Sequence, residues 1–114
     1  MNGTELTKSQ KKIARQVIEK GLQKEYVDGI IKLDNIISRW KANIHSNRDA
    51  WFELCKSLTK HDDHIADRYN RMGGSKYLYV VAAQLADGVI SRNDLEGFKD
   101  DVREKILLLS SIDQ

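Results

Sequence analysis

The chain contains no proline at all and a single cysteine, and aromatic residues make up only 7% of it. Without proline, nothing forbids long uninterrupted helices. A lone Cys55 excludes an internal disulfide framework and fits a reducing compartment. The longest strictly apolar run, Tyr77 to Ala83, falls far short of the roughly 20 residues that a membrane span requires. The opening residues, MNGTELTKSQKK, carry no apolar h-region and do not read as a secretory signal. A cytoplasmic protein is the expectation.

What is present suits a folded, highly charged surface: 114 residues, 40% hydrophobic and 32% charged. That length fits one small domain. Residues 9–110 read as a single helical domain, with a flexible start over 1–8 and a tail over 111–114. Net charge is +2, unevenly divided. Residues 1–48 carry ten Lys/Arg against five Asp/Glu, whereas residues 49–114 carry nine against twelve. A basic first half admits an alternative reading as a helical nucleic-acid-binding protein using Lys8, Lys11, Lys12, Arg15, Lys20 and Lys24. The interleaving of Glu19, Glu25, Asp28 and Asp34 argues against it, because phosphate binding favours massed cations.

Apolar residues between Ser9 and Ile44 recur at steps of three and four, which predicts one long helix. Thr7 or Ser9 caps its start and His45-Ser46-Asn47 breaks its end. Gly21 and Gly29 each cost about 1 kcal/mol relative to alanine and are the places where it would kink or split. Uninterrupted, it would span about 54 Å at 1.5 Å per residue. A compact globule of this chain length is only about 34 Å across. Ile30, Ile37, Trp40 and Ile44 would then be stranded in water unless a second copy covered them, so these four are the expected dimer interface. The alternative is two shorter helices folded into a monomeric bundle.

A second helix starts at Ser46-Asn47-Arg48-Asp49, an N-cap with an acid in the first turn, and stops at Met72-Gly73-Gly74 through a left-handed glycine. SKYLYVVAAQLADG is too long for a strand and reads as a buried central helix ended by Asp87-Gly88. Ser91 and Asp94 form a capping box for a last helix, with Ile90 stapled onto Leu95 and an apolar stripe Leu95, Phe98, Val102, Ile106, Leu109. The fold class is all-α: four helices, the first long, in a dimerising bundle.

Chemistry concentrates in His61-Asp62-Asp63-His64. Two histidines three apart can lean toward one ion, but zinc needs three or four convergent ligands with supporting groups behind them. The motif also lacks the four-residue histidine spacing of the zinc proteases. Solvated helix surface, with Asp63, Asp67 and Arg71 in helical register, is the favoured reading. Cys55 sits in an apolar helical setting and is expected to pack as a small hydrophobe. No catalytic, metal or cofactor site follows, and the chain reads as a non-enzyme. Trp51 and Phe52 point about 100 degrees apart on a helix, so one is expected to bury while the other meets solvent, a dimer mate or a partner. The alternative is that both tuck under the long first helix.

The order of elements adds a resemblance. A long helix containing Gln23-Lys24-Glu25 is followed by Asp49-Ala50-Trp51 and His64-Ile65-Ala66-Asp67-Arg68-Tyr69-Asn70. Then come an apolar Tyr-Leu-Tyr-Val-Val-Ala-Ala helix, Asp87-Gly88-Val89-Ile90-Ser91 and Asp94-Leu95-Glu96-Gly97-Phe98. Over about residues 9 to 107 this resembles the fluorescence recovery protein family of cyanobacterial photoprotection and its relatives elsewhere. The resemblance implies an all-helical regulatory dimer that acts by protein contact; family members bind the orange carotenoid protein and speed its return to the inactive form. Trp51 matches the family's partner-binding tryptophan. The His-Asp pair that follows it there falls on Leu54-Cys55 or Cys55-Lys56 here, and the arginine position on His61 or Asp62. The family's Tyr-Asp-Tyr-Arg-Tyr-like segment corresponds to Tyr69-Asn70-Arg71-Met72-Gly73. A retained scaffold with an altered partner surface implies a protein partner other than the carotenoid protein, reached through Trp51, Phe52, Cys55, Lys56 and His61.

Overall fold

The computed structural model describes residues 6–70 and 72–112. Its elements are α1 (Lys8–Lys41), α2 (Asn47–Tyr69), a 3-10 turn (Gly74–Lys76), α3 (Tyr77–Ala86), a second 3-10 turn (Arg92–Leu95) and α4 (Asp100–Ile112). The chain is all-α, with no strand among the described residues. The long first helix is continuous through Gly21 and Gly29. Neither glycine is a hinge; each is a place where a side chain lies against the helix backbone. A Cβ on Gly21 would stand 2.3 Å from Gln84 Nε2, and one on Gly29 would stand 2.5 Å from His61 Cδ2.

Helix ends show where local chemistry decides. α1 stops at Lys41, short of the expected Ile44, because Asn43 turns left-handed at φ 62°. Ile44 N–H then donates to Arg39 O (2.9 Å) and Asn43 N–H to Trp40 O (3.0 Å), the pair of bonds that closes a helix C-terminus. α2 begins as expected, with Ser46 Oγ accepting from Asp49 N–H at 3.1 Å. Its end differs from expectation: Asn70 leaves the helix in an extended conformation (ψ 145°), and Gly73 is extended as well, so no left-handed glycine stops it. α3 does end that way, at Gly88 with φ 72°.

The last segment is two pieces rather than one helix. Ser91 and Asp94 form the capping box, but it heads only the 3-10 turn. Leu95 and Phe98 are both buried, and Gly97 lies where a Cβ would meet Ile13 Cγ2 at 3.3 Å. The break strands carbonyls that a continuous helix would have satisfied. Arg103 takes over Phe98 O, donating to it at 2.9 Å, and adds longer bonds of 3.4 Å to Glu96 O and to Leu95 O, which also accepts from Phe98 N–H at 3.0 Å. Gln10 Oε1 accepts from Lys99 N–H at 3.0 Å just ahead of α4.

By spatial clustering the chain forms two compact units, one from Met1–Gln23 and Arg71–Gln114, the other from Lys24–Asn70. The first holds a conventional apolar core: Leu6, Ala14, Val17 and Ile18 with Leu78, Val80, Val81, Ala82, Ile90, Leu95, Phe98, Val102 and Ile106. α3 is the central helix expected from its apolar run. The second unit is a hairpin of the latter part of α1 and all of α2, and its buried apolar residues are Ile36 and Ala50 alone.

Candidate interaction face of the hairpin

The hairpin is pinned by one buried acid. Glu25 is 3% exposed and lies on the stripe of α1 that also carries Gly21 and Gly29, each four residues away. Its Oε1 accepts from His64 Nε2 (2.6 Å) and from Arg68 Nη1 (3.1 Å), and its Oε2 accepts from the Tyr69 hydroxyl. His61 Nε2 bonds to the backbone carbonyl of Glu25 at 2.6 Å, which fixes its N–H on that nitrogen. Gly29 makes room for that imidazole. A buried carboxylate is tolerable when it is paired and hydrogen-bonded, and here α2 supplies every one of those partners.

This corrects the reading of His61-Asp62-Asp63-His64 as plain solvated surface. Asp62 and Asp63 are exposed, but His61 is half-buried and His64, though its side chain is still 42% exposed, reaches Glu25 through Nε2. The two histidines start a polar clasp that runs on through Arg68 and Tyr69. The imidazole centroids are 6.2 Å apart, and both rings are engaged by Glu25. Among the described residues no three His, Cys, Asp or Glu side chains are placed to hold a metal ion. Arg71, the last member of the expected charge ladder, lies outside the described residues.

Sequence reasoning quoted Glu25 as one charge among several and as part of Gln23-Lys24-Glu25, and missed its role. The signal was its step of four from each glycine, which puts an acid on the stripe that packs.

Beside the clasp, two grooves open between α1 and α2. One, of about 430 Å³, is lined by Tyr26, Gly29, Ile30, Leu33, Leu58, His61, Asp62 and Ile65. The other, of about 290 Å³, is lined by Ile37, Trp40, Asn47, Ala50, Trp51 and Leu54. Residues expected at two separate surfaces therefore share walls. Ile37 and Trp40 from the dimer set stand with Trp51 from the partner set, and Ile30 stands with His61. Ile44 lies on the capping turn and is exposed. Trp40 is held by its indole N–H, which donates to Asn47 Oδ1 at 2.7 Å.

Two expectations fail here. Trp51 and Phe52 do not divide between core and surface: both are exposed, at 66% and 58%, because Ala50 takes the position against α1. Phe52 instead carries the Arg48 guanidinium 5.5 Å above its ring. Cys55 is exposed as well and does not pack as a core residue. Lys56 is exposed, and neither it nor Phe52 nor Cys55 lines either of these two grooves. His61 is half-buried, its ring tied to Glu25.

In the first unit the basic α1 face is partly engaged, since Lys20 is paired with Asp94. That contact, helped by the Ser91 backbone N–H, holds the Asp94 carboxyl below its ordinary range, against the opposing pull of burial. Among the described residues no helix is long and apolar enough to cross a membrane. Compared with protein-family models, curated proteins and solved structures, the chain matches none.

Proposed function

We propose that this chain is a non-catalytic protein–protein interaction protein, a regulator working in the cytoplasm, and that its working surface is the grooved face of the α1–α2 hairpin. The observation behind this reading is the amount of apolar surface that the hairpin leaves in water. Ile30, Ile44 and Trp51 are each about two-thirds exposed, and Tyr26, Trp40 and Leu58 stand beside them. Contiguous apolar surface of this kind marks a contact site on a folded protein. Its first occupant, in this proposal, is a second copy of the chain, giving a dimer through Ile30, Ile37, Trp40 and Ile44.

The resemblance to the fluorescence recovery proteins supports the same architecture of a long first helix and action by contact. The departures after Trp51 favour a regulated partner other than the carotenoid protein. Sedimentation equilibrium at micromolar concentration tests the self-association. A dimer that Ile30→Asp dissociates is the expected result, and a monomer at every concentration rejects it.

A further inference from the structure

We infer that the hairpin face pairs with a second copy in one specific way: Trp51 of each copy enters the Ile30–Ile65 groove of the other, about a two-fold axis passing near residue 35 of α1 and Cys55 of α2. The inference rests on the self-association proposed above and adds its geometry.

A two-fold interface uses one surface against itself, so every projection must meet a recess lying on the same face, at an equal distance across the axis. On the hairpin the most exposed aromatic side chain is Trp51, and the larger of the two recesses is the Ile30–Ile65 groove. Trp51 is 66% exposed at the edge of the smaller groove, level with Ile37 and Trp40. The larger groove lies further back along α1, at Tyr26, Gly29, Ile30 and Leu33. The two are separated by about nine residues of α1, or roughly 13 Å. An axis midway between them crosses α1 near residue 35.

A second observation gives the same centre. The stripe Tyr26, Ile30, Leu33, Ile37, Trp40, Ile44 advances by steps of 4, 3, 4, 3 and 4. It reads identically from either end, and its middle is residue 35. An antiparallel copy turned about that point sets Ile30 beside Trp40, Leu33 beside Ile37 and Tyr26 beside Ile44, large against small in the first layer. The other two-fold arrangement has its axis along the helices. It sets each groove opposite itself and Trp51 at the level of the second copy's Trp40, projection against projection, and leaves both recesses unfilled.

The chemistry of the recess also suits an indole. Its wall is almost wholly apolar, and its polar rim is the exposed carboxylate of Asp62. Covered by an aliphatic side chain, that carboxylate would be desolvated with nothing in return. An indole fills the groove and offers one N–H donor at its edge, which a carboxylate can accept. Buried tryptophans are also the side chains that most often dominate an interface.

On α2 the axis falls between Leu54, which shares a groove with Ile37, and Leu58, which shares one with Leu33. Cys55 is the exposed thiol there, so it stands close to its own equivalent in the second copy. The unmodified protein therefore carries its own reporter. A short bismaleimide should convert the dimer into a covalently linked pair, and Cys55→Ser should abolish the product. Trp51→Ala should weaken the dimer at least tenfold and reduce the linked product in step, with an unchanged helical spectrum because Trp51 is outside the core. A dimer by sedimentation that is not linked through Cys55, or that tolerates Trp51→Ala, overturns this pairing while leaving self-association intact. A monomer by sedimentation overturns both.

Discussion

The two units of this protein are held together by different physics. In the unit built from Met1–Gln23 and Arg71–Gln114, three helices and two 3-10 turns bury a continuous apolar core in which Val81, Leu95 and Ile106 are 1% exposed or less. At about 25 cal/mol per Å² of apolar surface, such burial is the main favourable contribution to that unit's folding. In the Lys24–Asn70 hairpin the order is inverted: the most elaborate interior feature is a carboxylate clasp, and the large apolar side chains face outward. Two helices alone cannot enclose a core, because each has only one neighbour to bury against. The hairpin is thus a surface held in shape by polar bonds, and the other unit needs nothing further. A region that buries its large apolar side chains and one that leaves them in water can be told apart by which residues a mutation punishes.

The sharpest way to break that distinction is a matched pair of truncations. Ile106→Ala in the apolar core should cost about 3–4 kcal/mol of unfolding free energy, as large-to-small changes at fully buried sites do. Ile30→Ala, at a position 65% exposed, should leave the unfolding free energy of the monomeric chain within about 0.5 kcal/mol and act on self-association instead. Equal losses from both in dilute solution, read by urea denaturation, would mean that the hairpin hides a core after all.

Glu25 sharpens the comparison from the other side. Replacing it by alanine withdraws the acceptor shared by His64, Arg68 and Tyr69, and losing one member of a buried ionic cluster costs about 3 kcal/mol. That loss should be local. Amide exchange ought to quicken along α2 while the α3 and α4 amides keep their protection, since stability is distributed by cooperative unit. Uniform quickening across both units would show that the clasp supports the whole chain.

How much of this could be read beforehand depends on the kind of force involved. Periodicity placed α1 and the body of α4, because a stripe repeating at three and four residues has one cheap conformation. By contrast, α2 was read from its cap and α3 from the length of its apolar run. Ser46, Gly88 and the Ser91–Asp94 box were legible for the same local reason: each satisfies backbone groups a few residues away. What stayed hidden was long-range. The break at Gly97 depends on Ile13 and on Arg103 capping stranded carbonyls, neither visible as a pattern near position 97. Gly21 and Gly29 looked like hinges because propensity penalises glycine in a helix, whereas their cause is the approach of Gln84 and His61. Both predicted site sets belong to the hairpin, yet only the packing of α1 on α2 brought Ile37, Trp40 and Trp51 to one groove.

The smallest expected effect belongs to the well-packed unit, where an ion pair has little left to add. Lys20 is 69% exposed at its side chain, so its bond to Asp94 is screened by solvent and contributes a few tenths of a kcal/mol at most. The sign is nevertheless fixed. A carboxyl held below its unfolded value stabilises the fold at every pH above that value, about 3.9 for aspartate, and the contribution is lost as pH falls through the folded value. Asp94→Asn keeps a side-chain oxygen that can still accept from Ser91 and removes the charge. Its unfolding free energy should therefore run slightly below that of the parent at neutral pH and converge with it in acid. Salt should narrow the neutral-pH gap, because the Lys20 end of the pair faces solvent. A gap that ignores both pH and salt would mean that the charge of Asp94, and so its pairing with Lys20, does not carry the stabilisation.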